Sequence, residues 1–428
     1  MDENALIRAG FARRIINPPR GILSIGFGDR FKGNKGVHDD LTATAMVLEE
    51  NGVKIGLVAL DLLAMHEDFT QELEMVYGMP LLLCCAHTHS APMFMAVNPF
   101  RFRVRRYAED LKANIINAIK EAEACLQPAA FTWGEIHANI AVNRRERQSD
   151  GHVEIGVNPD GPVDRRAAVL EVQNRTGEVL GRLVNMQCHA TVMGPGNLLV
   201  SADWVGAMRR RLEASKGGLT LYIQGATGDL NPRLNVGNDF ENVEILGQEA
   251  FEAINEILGN LKPIHIDRLI HDKADVFIPL LGTEGQDKPS KQYRQIARTI
   301  GLPPFVADLA LDFLYPWRTH LKKIEGSWAF PIQENLLDLG GIKMVSMGME
   351  VFNQIGVKAR DLFPGEAVIF SSLTNSCYGY LPTEIEYDLG GYEIEQSWQI
   401  YRMPGPMPAH ADRLALEGLA RLGAVAES

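Results

Sequence analysis

Hydrophobic positions follow two periods along this chain, and the places where the period changes locate the elements. Val53, Ile55, Leu57 and Ala59 alternate with polar or small residues and mark a strand that ends at Asp61. With the apolar stretch 41–48 before it and an Asn51-Gly52 turn between, residues 41–60 predict a β-hairpin. Residues 67–77 read as helix. The uninterrupted apolar run 81–85 predicts a strand buried on both faces. Tyr107, Leu111, Ile115, Ile119, Ala122 and Leu126 then recur at helical spacing, with Arg, Lys and Glu between them.

Further on, 131–142 is strand-like and delivers Asn143, Arg144 and Arg145, and 156–161 reads as a turn. Two strands, 168–172 and 181–188, are joined by a turn, and the second runs into His189. Asp203 is placed as N-cap of a helix bearing Val205, Met208 and Leu212, closed by Gly217 and Gly218. A strand at 219–224 leads into the turn 225–233, and a helix is expected over 242–258. The last part predicts a strand at 342–347, a helix begun near Glu350, a strand at 367–373 and a loop from Asn375 to Tyr380. Between 283 and 333 the pattern changes: Phe305, Leu309, Phe313, Leu314 and Trp317 suggest a helical insertion, a lid or an oligomer face, with a simple core helix as an equal reading. There is no internal repeat. The expectation is one α/β domain over 1–428, a mixed β-sheet core flanked by helices.

Composition narrows the function class. The 428 residues, 46% hydrophobic and 22% charged, suit a globular protein with a large core. A net charge of −12 argues against nucleic acid as the main partner. No apolar run is long enough to cross a bilayer, and the acidic start (Asp2, Glu3) is not a secretory signal, so a cytoplasmic protein without stable membrane insertion is expected. Five cysteines, two of them adjacent, read as reduced thiols; Cys188 beside His189 reads as a small buried hydrophobe.

Chemistry gathers at strand ends. Asp61, His87, Arg144, His189, Asp229 and Tyr380 each lie at or just beyond a predicted strand, where ligands bind in α/β sheets. Residues two apart on a strand share a face, so His87 and His89 can converge on one metal. Each residue also has a plainer reading. Glu350 can be a helix N-terminal carboxylate, Tyr380 a core aromatic, Arg144 part of a solvated charge run and Asp229 a turn former.

The order of motifs goes further. Residues 87–90 (His-Thr-His-Ser), Asn143-Arg144, the Asp164 region, His189 through Asp203, Gly228-Asp229-Leu230-Asn231-Pro232, and 375–387 resemble, in sequence order, the catalytic domain of the neutral/alkaline (non-lysosomal) ceramidase family. The resemblance spans about residues 7–400 and is poor over 283–333. It implies a zinc held by His87, His189, Glu350 and Tyr380, with His89 as acid/base group and Arg144 at the substrate or its oxyanion. The implied reaction is hydrolysis of an amide bond by zinc-activated water. Asp61, Asp203 or Asp229 is expected to hold a ligand histidine's second nitrogen.

Three departures bear on substrate. The serine of the family's Gly-Asp-x-Ser-Pro turn is Asn231 here. The chain stops at 428, where ceramidases continue into an immunoglobulin-like domain, and it shows no secretion signal and no basic amphipathic helix. A more water-soluble N-acyl small molecule is therefore expected, or an ester or lactone. A metal-dependent lyase or isomerase and a non-catalytic ligand-binding homologue remain the alternatives.

Overall fold

A computed structural model describes residues 7–426, apart from 25, 28, 29, 31, 93–101, 235, 236, 238, 285–319 and 402. The core is two β-sheets packed face to face with helices outside. The larger sheet runs, in spatial order, β12 (Leu219–Gln224), β10 (Val179–Met186), β9 (Arg166–Asn174), β6 (Gln127–His137), β1 (Arg8–Ile15), β3 (Thr42–Glu50), β4 (Val53–Leu60) and β5 (Leu81–Cys85), with β14 (Lys262–Ile264) on β6. The second runs β15 (Ile266–Pro279), β17 (Ser327–Gly340), β18 (Ile342–Met347) and β20 (Ala367–Ser372), with β16 (Lys322–Ile324) on β17. Most pairs are antiparallel; β4–β5, β10–β12 and β18–β20 are parallel. Smaller sheets join β2 (Gly36–Val37) with β11 (Leu199–Val200), β7 (Ala141–Arg147) with β8 (Val153–Asn158) and β13 (Leu230–Pro232), and β19 (Glu350–Val351) with β21 (Tyr380–Leu381).

The pleat explains the apolar run at 81–85. Leu82 and Cys84 point to the inter-sheet core, beside Ile55, Leu57 and Met344. Leu81, Leu83 and Cys85 point the other way, toward α1 (Glu67–Tyr77) and α2 (Phe102–Ala124). Both faces are dry, so period-2 polarity disappears. Helix α2 comes so close to β1 that a Cβ at Gly10 would sit 2.0 Å from the Ala122 carbonyl oxygen. Helices α3 (Asp203–Lys216) and α4 (Phe240–Leu258) cover the other half of the large sheet. Helices α5 (Asn353–Asp361) and α6 (Ala411–Ala426) cover the second sheet. No described helix is long and apolar enough to cross a membrane.

Several sequence expectations need correction. The stretch 131–142 is two strands, β6 and β7, in different sheets, so Asn143 and Arg144 lie inside β7 and not beyond a strand end. Residues 153–158 are strand β8, which leaves only 159–161 as turn. Glu350 does not begin a helix. Its N–H bonds the Gly379 carbonyl (2.8 Å) in β19, and α5 starts three residues later. Of the region 283–333, residues 285–319, with the five aromatic and apolar positions singled out above, lie outside the described residues. Its described C-terminal part forms strands β16 and β17, not helix.

Glu334 on β17 carries a measurable cost. Both its carboxylate oxygens are buried without a hydrogen-bond partner among the described residues, and burial pushes its pKa up to about 9 although Arg421 pulls it down. A carboxyl raised from 4.5 carries no penalty below the lower value and a growing one as pH climbs toward the upper. Glu334→Leu is expected to stabilise the protein by on the order of 3 kcal/mol more at pH 8 than at pH 5. Thermal unfolding at the two pH values checks this; an equal effect at both would refute it.

Candidate metal centre

The centre forms where β5, β10 and β18 end. Past β5 the chain leaves the sheet, and His87 takes a left-handed backbone (φ 59°), which is unusual for a residue with a Cβ. Its N–H bonds the Leu62 carbonyl at 3.0 Å, and its ring Nδ1 lies 2.6 Å from the Leu63 carbonyl oxygen. His87 and His89 do converge, with ring centroids 5.0 Å apart. That turned backbone brings them together, not the strand pleat expected from their spacing.

His189 follows β10 and is fully buried. Its Nδ1 lies 2.8 Å from the Thr227 carbonyl oxygen and 2.9 Å from that of Leu230. Trp204 Nε1–H donates to its main-chain carbonyl at 2.9 Å, which pins the residue from the α3 side. Its ring stands 4.9 Å from that of His87 and 5.7 Å from that of His89.

Glu350 reaches in from β19. Its Oε2 lies 3.2 Å from His87 Nε2 and 3.4 Å from His189 Nε2. Carbonyl oxygens only accept, so both Nδ1 atoms carry a hydrogen, and both Nε2 atoms are turned toward the carboxylate. Where both Nε2 atoms carry lone pairs, acceptors face acceptors and a positive charge belongs between them. Burial, with help from Arg144 and His87, holds the His189 pKa down at about 4 against the pull of Glu350, so a proton on His189 is a poor candidate at neutral pH. A metal ion fits. Bonds of about 2.0–2.1 Å in a tetrahedron put donor atoms about 3.4 Å apart, the spacing seen at Glu350. The ligand atoms of His87, His89 and His189 also lie within 4.8 Å of one another, a triad able to hold a metal, with His87 and His189 buried and His89 half-buried.

His89 stands apart in one respect. Both its ring nitrogens are buried without a hydrogen-bond partner among the described residues. Burial, then His87 and His189, hold its pKa well below the usual imidazole range.

The aspartates do not hold imidazole nitrogens, contrary to expectation; backbone carbonyls at the strand ends do. Asp61 instead makes a buried two-bond ion pair with Arg209 of α3 (2.8 and 2.7 Å) and accepts from Thr42 N–H and Oγ1–H. Asp203 is no ordinary N-cap. With φ 56° it turns back to accept from Val192 N–H (3.2 Å) and Met193 N–H (3.0 Å), which shapes the loop after His189. Asp229 accepts from Asn353 N–H (2.7 Å) and from the side-chain amides of Asn353 and Asn143, so it ties β7 and α5 to the loop whose carbonyls orient His189. Asn231 is buried in β13 opposite Val142. Removing one partner of a buried ion pair leaves an uncompensated charge. Arg209→Leu is expected to cost about 3–5 kcal/mol, with Asp61→Asn/Arg209→Leu costing less than the sum of its parts in denaturant unfolding. Strict additivity would mean the pair contributes nothing.

Arg144 is buried. Its Nε bonds Glu393 Oε1 at 2.9 Å, its guanidinium carbon lies 5.3 Å from the centre of the Tyr380 ring, and its Nη2 has no hydrogen-bond partner among the described residues. Tyr380 is brought beside Glu350 by the β19–β21 pairing. Three contributors escaped the sequence reading. Glu393, in a π-helical turn (Tyr392–Gln396), bridges Arg144 and Arg145, the latter at 2.7 Å. Glu386 also takes Arg145 at 2.7 Å. The Tyr401 hydroxyl donates to Glu350 Oε1. The acidic, glycine-broken stretch 384–395 opposite an Arg-Arg pair was the available signal for the first two; nothing in the sequence marked Tyr401.

No protein-family model matches the sequence, and no curated protein matches it. Solved structures do. The crystal structure of neutral ceramidase from Pseudomonas aeruginosa superposes with a TM-score of 0.71 at 19% identity, over 98% of this chain and 74% of that one. A ceramidase complexed with C2 gives 0.71 at 20% identity, over 97% and 74%. At such identities the likeness is one of architecture: over nearly its whole length, the chain has the neutral ceramidase fold.

Proposed function

We propose that this protein is a zinc-dependent hydrolase that cleaves the amide bond of a small N-acyl substrate. The observation that carries the proposal is the Glu350 carboxylate set 3.2 and 3.4 Å from two imidazole nitrogens whose opposite nitrogens are committed to backbone carbonyls. Two neutral imidazoles and a carboxylate form a common catalytic zinc set, and in this reading Tyr380 completes it beside His87, His189 and Glu350. Zinc bound there lowers the pKa of a water to about 7 and polarises a carbonyl.

The chain's own residues supply the rest. Arg144 Nη2, without a hydrogen-bond partner among the described residues, is a donor for the oxygen on which charge develops. Glu393 holds the other edge of that guanidinium. His89 is a neutral imidazole at the cluster, able to take a proton and return it to the leaving nitrogen. Asn143, Asp203 and Asp229 keep the loops in register. The fold supports amide chemistry because the neighbours that share it are named ceramidases, and ceramide is an N-acyl amide. Asn231, in place of a serine, puts an amide where that family has a hydroxyl, which favours a substrate other than ceramide.

Screening N-acyl compounds for release of free amine, in ¹⁸O-labelled water, tests the reading. The expected product is a carboxylate carrying the label. An unlabelled product would indicate lyase or isomerase chemistry, and the absence of turnover across the screen would indicate a ligand-binding role. The nitrogens of His89, without a partner among the described residues, favour catalysis, because a purely structural metal site has no use for them.

A further inference from the structure

The two oxygens of Glu350 have different surroundings. Oε2 faces His87 Nε2 and His189 Nε2, while Oε1 accepts the hydrogen bond from the Tyr401 hydroxyl. A carboxylate with one oxygen unpartnered can rotate, swap oxygens or chelate with both. A donor on Oε1 leaves Oε2 as the oxygen presented to the histidines.

Tyr401 is itself well placed. Its N–H bonds the Ser397 carbonyl at 2.9 Å. Its hydroxyl lies 3.7 Å from Cys377 Sγ, and its ring stands edge-on to Tyr380 with centroids 6.3 Å apart. Gly379, at φ 135°, runs close under that ring: a Cβ there would lie 3.6 Å from Tyr401 Cδ2. The residue arrives from beyond β21, on the same stretch of chain that carries Glu393.

We propose that Tyr401 is the positioning residue for the metal carboxylate, fixing Glu350 so that Oε2 alone is offered between His87 and His189. The proposal rests on the reading of Glu350 as a ligand. Tyr401 keeps its proton and touches no metal in this account; it acts through Glu350. Hydrogen bonds to metal ligands of this kind are worth about 10–100-fold in metal affinity.

The test uses zinc alone as probe. The full chain is stripped of metal and titrated against a chromophoric chelator. Tyr401→Phe keeps the ring and loses only the hydroxyl, and is expected to raise the zinc Kd about 10–100-fold. Tyr392→Phe, which removes a hydroxyl from a second ring edge-on to Tyr380 (centroids 5.7 Å apart), is expected to leave it unchanged. A merely structural effect is separated by a cycle: on a Glu350→Ala background, Tyr401→Phe should change zinc affinity less than about twofold, because the group it acts through is gone. Wild-type affinity in Tyr401→Phe, or an undiminished effect on the Glu350→Ala background, overturns the inference. Wild-type protein that binds no zinc overturns the reading of Glu350 as a ligand and this inference with it; tight wild-type binding with an unaffected Tyr401→Phe overturns this inference alone.

Discussion

His87→Ala protein is expected to emerge from purification without its metal. His87 and His189 each spend Nδ1 on a main-chain carbonyl and offer Nε2 to the same carboxylate oxygen. Removing either imidazole leaves Glu350 with a single nitrogen partner. Tetrahedral zinc sites bind with roughly 10–16 kcal/mol; shared among four ligands, that is about 3 kcal/mol or more apiece, a loss on the order of 100-fold in affinity. Alanine at position 87 adds a separate cost, because the backbone there is left-handed (φ 59°). His87→Asn controls for it, since asparagine tolerates that conformation better. Metal analysis after gel filtration should show depletion in His87→Ala, His87→Asn and His189→Ala alike. Full metal content in the His87 and His189 variants would show that the ligands lie elsewhere.

His89→Ala is expected to do the opposite: keep the metal and lose turnover by about 10²–10⁴. His89 belongs to the same histidine triad, so only its role sets it apart. Its nitrogens are without partners among the described residues, whereas those of His87 and His189 are tied on one side to carbonyls and face Glu350 on the other. A residue held ready for a proton has free nitrogens; a ligand's second nitrogen is normally anchored. Metal content and amide-hydrolysis rate measured on the same preparation decide the matter. If His89→Ala loses its metal, the three histidines together are the ligand set and another group must move the proton.

What the sequence disclosed depended on range. The 81–85 run announced a strand buried on both faces, and helical spacing marked α2, because both signals are written in neighbouring residues. The strand-end placement of His87 and His189 followed from the same local patterns. Three things were not legible. The two-sheet core depends on which buried strands meet across the interior, and apolar runs do not name their partners. The imidazole anchors are carbonyls of Leu63, Thr227 and Leu230, and a carbonyl leaves no trace in residue type. Asp61, Asp203 and Asp229 looked suited to that task; the fold uses them on Arg209, on loop amides and on Asn353. Glu350 read as a helix start, because its pairing with Tyr380 involves a two-residue strand too short to show a period.

Metal stoichiometry is the most direct test of a zinc centre at this site. Wild-type protein loaded with zinc, dialysed and analysed for metal should retain one zinc per chain, and chelator should remove it. Protein that retains none after loading would contradict a centre built on His87, His189 and Glu350.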